Sequence, residues 1–331
     1  MQFTQFKRRD VITLLGGTAV AWPLAARAQQ PATPVVGFLS SGSSDRYREL
    51  FREFYDGLSE ARFREGKNVA IEYRWANGEN DRLPMLARDL ADRRVAAIVA
   101  ISDSAALALK AATGAIPIVF YVGNDPVRHG LVSSLNPTGN LTGATNLNVE
   151  LGPKRLEVLR ELVPASDAKI ALLVNPIASN FESVLRDMQE AAKIFGLRLH
   201  VLHAHSPEEI DAAFASLAEL HADALVIGPD NFFNLRSRQL AQLTLRYSVP
   251  AIFQTRDFVT AGGLISYATT NSGLLRLVGG YVGRILKGER PADLPVHQAT
   301  KVELFINMKS AKALGLTVPL SLLGRADEVI E

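Results

Sequence analysis

The sequence predicts an α/β protein of two similar lobes, each a parallel sheet flanked by helices, joined by a multi-stranded hinge. Three observations predict it. From Pro34 onward, short β-branched runs alternate with stretches of helical apolar spacing, the pattern of a parallel sheet covered on both faces. That order occurs twice. A chain of 331 residues also exceeds the size at which one core usually stops growing.

In the first lobe, Val35 to Leu39 reads as a buried strand. The following helix sets Leu50, Phe51, Phe54, Leu58 and Ala61 on one face, and Gly66 is expected to end it. Strands are then expected at Val69 to Tyr73, Ala97 to Ile101 and Ile118 to Tyr121, with helices at Arg82 to Ala91 and Ala105 to Ala112. After Pro164 the order starts again. A strand at Lys169 to Val174 leads into a helix with Phe181, Val184, Leu185, Met188, Ala192 and Phe195 in line. Strands at Leu197 to Leu202, Ala224 to Ile227 and Ala251 to Phe253 alternate with helices at Pro207 to Leu220 and Phe232 to Tyr247. Even local chemistry repeats: Ile116-Pro117-Ile118-Val119-Phe120 corresponds to Val249-Pro250-Ala251-Ile252-Phe253.

A strand at Leu264 to Ala268, a helix at Leu274 to Lys287 and a strand at Val302 to Ile306 are too few for a third lobe. They read as the chain crossing back between lobes, which makes the hinge multi-stranded. The expected division is 34–146 with about 269–298 in lobe one, and 147–267 with about 299–331 in lobe two.

Ahead of these elements stands an address. Lys7, Arg8 and Arg9 precede a short, mildly apolar stretch from Val11 to Ala25, and Ala26-Arg27-Ala28 gives the small-x-small site that a signal peptidase admits. The reading is a signal peptide over 1–28, too short to span a bilayer, that exports the chain to the periplasm. The Arg8-Arg9 pair points to the twin-arginine route, and the loose surroundings leave the general secretory (Sec) route open. Cysteine is absent, which removes disulfides, thiolate metal sites, a cysteine nucleophile and a lipid-bearing cysteine. Residues 1–28 carry three net positive charges, whose removal from the formal +2 leaves −1. That balance excludes nucleic acid as the expected partner.

In open parallel sheets a ligand binds beyond the carboxyl ends of the strands, where helix N-termini point into the crevice. This rule selects polar loops. In lobe one they hold Ser40 and Ser41, then Ser102, Asp103 and Ser104, then Tyr121, Asn124 and Asp125. In lobe two they hold Asn175, then Asp230 and Asn231, then Gln254, with Tyr267 on the later strand. Ser102 to Ser104 read either as a helix cap alone or as a cap that also receives a ligand carboxylate. Asp230 reads either as a cap or as the partner of a ligand ammonium. Tyr121, Phe232, Phe233 and Tyr267 are candidate aromatic walls. No Gly-x-Gly-x-x-Gly, phosphate loop or Gly-x-Ser-x-Gly motif is present, so no cofactor and no catalytic residue is expected. His200, His203 and His205 lack a third ligand of suitable spacing and are read as solvent-facing side chains, not a metal site.

Several segments together resemble a family. They are Arg9 to Gly17 with Trp22 to Gln29, then Asn124-Asp125-Pro126-Val127 through Gly130-Leu131-Val132 to Leu135, then Gly139-Asn140-Leu141-Thr142-Gly143. Ala261 to Tyr267, Ile285-Leu286-Lys287-Gly288, Pro291 to Val296 and Asn307 to Leu316 complete the set. The chain resembles ABC transporter substrate-binding proteins of the tryptophan or uncharacterised-substrate type, with the type I periplasmic binding fold of two Rossmann-like lobes. The resemblance implies a monomer that captures a small-molecule solute, an amino acid or small carboxylate, and delivers it to a membrane permease. A secreted sensor that presents its closed lobes to a receptor, and a secreted α/β enzyme, stand as the alternatives.

Overall fold

The structure, a computed structural model, describes residues 33–44, 48–163, 168–270 and 273–331, without the side chains of 48–50. The signal peptide expected over 1–28 and the core contact expected of Leu50 lie outside the described residues. Both sheets belong to one compact unit, Val35–Glu331.

Lobe one opens with β1 (Val35–Ser40), α1 (Arg48–Glu60), β2 (Ala70–Trp75), α2 (Leu83–Asp92), β3 (Ala97–Ile101), α3 (Asp103–Ala112), β4 (Ile118–Val122) and β5 (Leu141–Thr145). Lobe two follows with α4 (Gly152–Leu162), β6 (Lys169–Val174), α5 (Phe181–Phe195), β7 (Arg198–His203), α6 (Pro207–Leu220), β8 (Ala224–Ile227), α7 (Asn231–Asn234), α8 (Ser237–Arg246), β9 (Ala251–Phe253), α9 (Arg256–Thr260) and β10 (Ile265–Thr269). The tail holds α10 (Leu274–Leu286), β11 (His297–Gln298), β12 (Val302–Asn307), α11 (Met308–Ala313), α12 (Leu320–Leu323) and β13 (Glu328–Ile330).

The first sheet has the order β11-β5-β4-β3-β1-β2 and is parallel throughout. The second has the order β13-β12-β10-β9-β8-β6-β7 and is parallel except where β12 runs against β10. Stripped of the tail strands, both orders are the same, with the first two strands of each lobe exchanged relative to the chain order. The internal repeat read from the sequence is therefore a repeat of topology.

Alternation along the strands sends side chains to two core layers per sheet. Val36, Phe38 and Val99 pack toward α1 and α10, while Leu39, Ile98 and Ala100 pack toward α2 and α3. In lobe two, Ile170, Leu172 and Val174 separate in the same way from Ala171 and Leu173. Helix α1 ends at Glu60, earlier than Gly66, which instead takes φ 75° in the turn before β2 and donates to Val69 O. The helix expected over Phe232 to Tyr247 is two helices, α7 and α8. The sequence reading passed over β5. Gly143 in its centre reads as a turn, yet a Cβ there would lie 2.0 Å from Phe120 O, so glycine is what lets β5 lie against β4.

After β10 the chain returns to lobe one, where α10 packs along α1. Glycines permit the approach: a Cβ on Gly279 would lie 2.1 Å from Phe54 O and one on Gly57 1.8 Å from Arg276 O. The chain passes between the sheets after β5, after β10 and after β11. These passages are tied side by side, with Ala299 N donating to Thr145 O at 2.9 Å and Thr270 N to Lys301 O at 2.9 Å. Thr269 N donates to the Asn148 side-chain oxygen at 2.8 Å.

Beneath this junction lies Arg155, fully buried. Its Nε donates to Tyr267 O at 2.8 Å and one terminal nitrogen to Asn148 Oδ1 at 3.4 Å. The other terminal nitrogen has no hydrogen-bond partner among the described residues. Burial pushes the Arg155 guanidinium down to about 9, because removal from water penalises the charged form.

An interlobe cleft as the candidate functional site

The exchanged strand order creates a switch point in each sheet, beside β1 and β3 in lobe one and beside β6 and β8 in lobe two. Loops leaving the carboxyl ends of such strands diverge to opposite faces and open a crevice. Here the two crevices face one another and form a cleft of about 510 Å³. Lobe one contributes Ser41, the α3 start Ser102-Asp103-Ser104, and Tyr121 at the end of β4. Lobe two contributes Asp230, Asn231 and Gln254.

Ser102 has φ 109° and ψ 158°, a region almost reserved for glycine, where a side chain costs about 1–3 kcal/mol. The strain is held at the cleft wall, where Ser102 N donates to Tyr121 O at 3.0 Å and Ser102 Oγ accepts from Ala105 N at 3.3 Å. Capping, expected for this triplet, is thus Ser102's task. Asp103 turns its carboxylate to the next loop, accepting from Gly123 N at 3.0 Å and Asn124 N at 3.1 Å.

Asp230 caps the short α7, its Oδ1 accepting from Phe232 N at 2.7 Å and from Asn175 Nδ2 at 3.2 Å. Burial pushes its carboxyl above the usual range, against the lowering effect of these bonds and of the Arg236 guanidinium. Arg236 itself lies 3.8 Å from the centre of the Phe232 ring. Tyr121 OH accepts from Asn146 Nδ2 at 2.9 Å, and Gln254 Nε2 donates to Asn234 Oδ1 at 3.0 Å.

Five residues expected at the site stand behind or beyond the wall. Ser40 is fully buried and its hydroxyl accepts from Gly42 N at 3.0 Å. Asn124 is buried, its carbonyl accepting from Thr145 Oγ1. Asp125 Oδ1 accepts from Val127 N and Arg128 N and so shapes its own loop. Asn175 supports Asp230. Tyr267 packs against the lobe-two core, because alternation along β10 gives the cleft its neighbour Ala268 instead. Phe232 and Phe233 both belong to the lobe-two core, and Phe232 also lines the cleft.

The sequence reading missed Asn146 and Asn148, which line the cleft from the passage after β5. Recognising β5 was the signal that exposes them, since they are the first polar residues beyond its carboxyl end. It also missed Ser179 and Asn180, further along the loop that begins with Asn175. Among the described residues the lining carries the carboxylates of Glu53, Asp103, Asp230, Asp257 and Glu303 and one guanidinium, Arg256. Arg256 pairs with Glu328 at 2.6 Å and stands over the Phe305 ring.

Side chains meet across the cleft. Asn231 Nδ2 donates to Ser41 Oγ at 2.9 Å, the Ser104 and Ser179 hydroxyls are 3.1 Å apart, and Arg128 reaches Asp187 at 3.1 Å. The lobes are therefore closed on one another.

A tyrosine-binding protein of Clostridioides difficile (strain R20291) is 26% identical over 265 residues, 80% of this chain and 75% of the relative. Among solved structures, a conserved domain protein from Vibrio cholerae is 27% identical with a TM-score of 0.81, over 90% of this chain and 99% of that one. The ABC domain of Streptococcus pneumoniae in complex with L-Trp is 25% identical with a TM-score of 0.80, over 90% of this chain and all of that one, 100%. Sugar-binding proteins, among them a glucose-galactose binding protein from Geobacillus stearothermophilus with a TM-score of 0.58 and 13% identity, share the fold alone. Residues 33–330 match the family described as ABC transporter substrate binding protein, and the chain belongs to it.

Proposed function

We propose that this chain is the solute-receiving subunit of an ABC uptake system and that its solute is an amino acid. One observation carries the reading: the two switch points face each other across a single polar cleft whose walls touch. A molecule bound there contacts both lobes, and contacts to both favour the closed state over the open one. The solute's carboxylate is received at the α3 start, by Ser102, Ser104 and the backbone N–H groups that point outward there. Its ammonium is received by Asp230, a carboxylate that burial has left in need of a positive partner.

The acidic lining among the described residues favours a solute with an ammonium group over a simple carboxylate. The tyrosine-binding relative and the L-Trp complex support an amino acid as the class. Under this reading the chain is exported to the periplasm, acts as a monomer and hands its solute to a membrane permease.

The test is a thermal-shift screen of the mature protein, unfolded and refolded to strip bound solute, against the amino acids and small organic acids. A ligand at a hundred times its dissociation constant adds about 2.7 kcal/mol of stability. A rise confined to amino acids supports the reading, and Asp230→Ala is then expected to weaken the responding one by about 2 kcal/mol or more, as for a lost charge-assisted bond. No rise with any of them overturns it.

A further inference from the structure

Among the contacts that bridge the cleft between described residues, one lies outside the lining. Arg128 and Asp187 do not face the solute space. Arg128 stands on the loop after β4 in lobe one, and Asp187 stands on α5 in lobe two. The Arg128 guanidinium donates to Asp187 Oδ1 at 3.1 Å, with the two side chains 49% and 20% exposed.

The loop that carries Arg128 is held by a series of carboxylates. Asp103, from the start of α3, takes Gly123 N and Asn124 N. Glu150, from the passage between the lobes, takes Asp125 N at 2.9 Å. Asp125 then takes Val127 N at 2.9 Å and Arg128 N at 3.2 Å, and Pro126 O accepts from Leu131 N and Val132 N. Consecutive backbone groups are therefore pinned from the cleft wall, from the hinge passage and from within the loop, so that Arg128 extends from a rigid arm. A pinned arm loses little conformational freedom when its tip makes a contact.

On the other side, Asp187 Oδ1 also accepts from its neighbour Arg186, at 3.0 Å and 3.1 Å. When the lobes part, Asp187 keeps Arg186 as partner and Arg128 passes into water. Opening thus strands no buried charge, and the contact is readily reversible.

We infer that Arg128 and Asp187 form a salt-sensitive latch between the lobes, which sets the balance of open and closed forms and so tunes solute affinity without touching the solute. This rests on the reading that the lobes open and close. Because the pair is part-exposed, its strength is that of a surface ion pair, a change of about two- to five-fold in the closed-to-open ratio. A solute that binds only the closed form loses affinity by up to this factor when the latch is removed, and by the whole of it where the closed form is the minor one without solute.

The experiment reads lobe separation with no solute present. The chain has no cysteine, so Ala111→Cys on α3 and Gln189→Cys on α5, both exposed, take spin labels at two defined places. The distance distribution between the labels is measured in the mature protein and in R128A, D187A, the double variant and the swap R128D/D187R. It is measured at about 0.01 M salt, where the screening length is ~30 Å, and at about 1 M, where it is ~3 Å.

The expected result is a closed-to-open ratio that falls by about two- to five-fold in either single variant, falls no further in the double variant and returns in the swap. High salt is expected to move the parent to the level of the variants and to leave the variants unchanged. Two separations present in all proteins in unchanged proportion, at both salts, overturn the latch and leave lobe closure standing. A single separation in every protein and at both salts overturns the latch, and the closure reading falls with it if that separation also stays unchanged when the amino acid found in the thermal-shift screen is added.

Discussion

Ser102 gives the sharpest test of how this fold serves its cleft. With φ 109° and ψ 158° it occupies backbone space that a Cβ makes costly, by about 1–3 kcal/mol. Ser102→Gly removes that cost. Against the gain stand the extra freedom of glycine in the unfolded chain, about 0.5–1 kcal/mol, and a few tenths of a kcal/mol for replacing a serine cap by glycine. The balance is a protein more stable by about 1 kcal/mol. Ser102→Ala is the control: it keeps the Cβ and loses the hydroxyl that accepts from Ala105 N, and is expected to cost about 1 kcal/mol. The two variants should therefore differ by about 2 kcal/mol, with glycine the more stable. Urea unfolding followed by tryptophan fluorescence measures this in the right place. With residues 1–28 removed, Trp75 is the single tryptophan of the chain, and it lies on β2 in the same sheet as β3, which Ser102 directly follows. If glycine proves no more stable than alanine, the strain argument fails. If glycine is more stable and also binds the solute as tightly as serine, the hydroxyl has no part in binding.

Gly279→Ala drives a methyl group toward Phe54 O, 2.1 Å from an ideal Cβ; overpacking of this kind costs about 1–3 kcal/mol, which the same fluorescence assay reads as an earlier lobe-one transition. Arg155→Ala empties a fully buried site and deprives Tyr267 O of its donor, so a loss of about 3 kcal/mol is expected from urea unfolding. Asp230 gives a pH dependence whose sign follows from its raised carboxyl. The ionised form is penalised in the fold, so the penalty is present above the raised pKa and relieved as pH falls through it. An ammonium-bearing solute needs that ionised form, so affinity measured by titration calorimetry should begin to fall at a pH above the ordinary aspartate range of about 3.9. In Asp230→Asn this acid-side loss should be absent.

How much of this was legible in the sequence varies by element, and the variation has a physical cause. Strands β3, β8 and β9, and β6 after its first residue Lys169, are apolar runs buried on both faces, and their burial is written directly in composition. Strand β5 was not legible, because Leu141-Thr142-Gly143-Ala144-Thr145 is polar and broken by a glycine whose need for closeness to Phe120 appears only once β4 is in place. Helix α1 was legible from its apolar stripe, but not its end at Glu60. Ser41, Ser102, Asp103, Ser104, Tyr121, Asp230, Asn231 and Gln254, which line the cleft, could be named from the sequence because they follow apolar strands, and a rule about strand ends needs no tertiary knowledge. Ser40 and Asn175 follow the same rule and yet turn inward, since each satisfies a backbone or side-chain group that burial would otherwise leave unpaired, whereas Asn124 is buried with its side-chain oxygen unpartnered among the described residues.

The sequence by itself determined the alternation of strands and helices, its twofold use, the family and the set of polar loops that crown the strands. These follow from hydrophobic periodicity and local turn chemistry, which act over a few neighbouring residues. Only the tertiary structure decided which of those loops share one cleft, that Asn146 and Asn148 join them from the hinge, and that Arg128 meets Asp187 across the lobes. Residues 59 positions apart in the chain have no local pattern that links them. Their meeting depends on where two separately folded sheets are set by the passages between them.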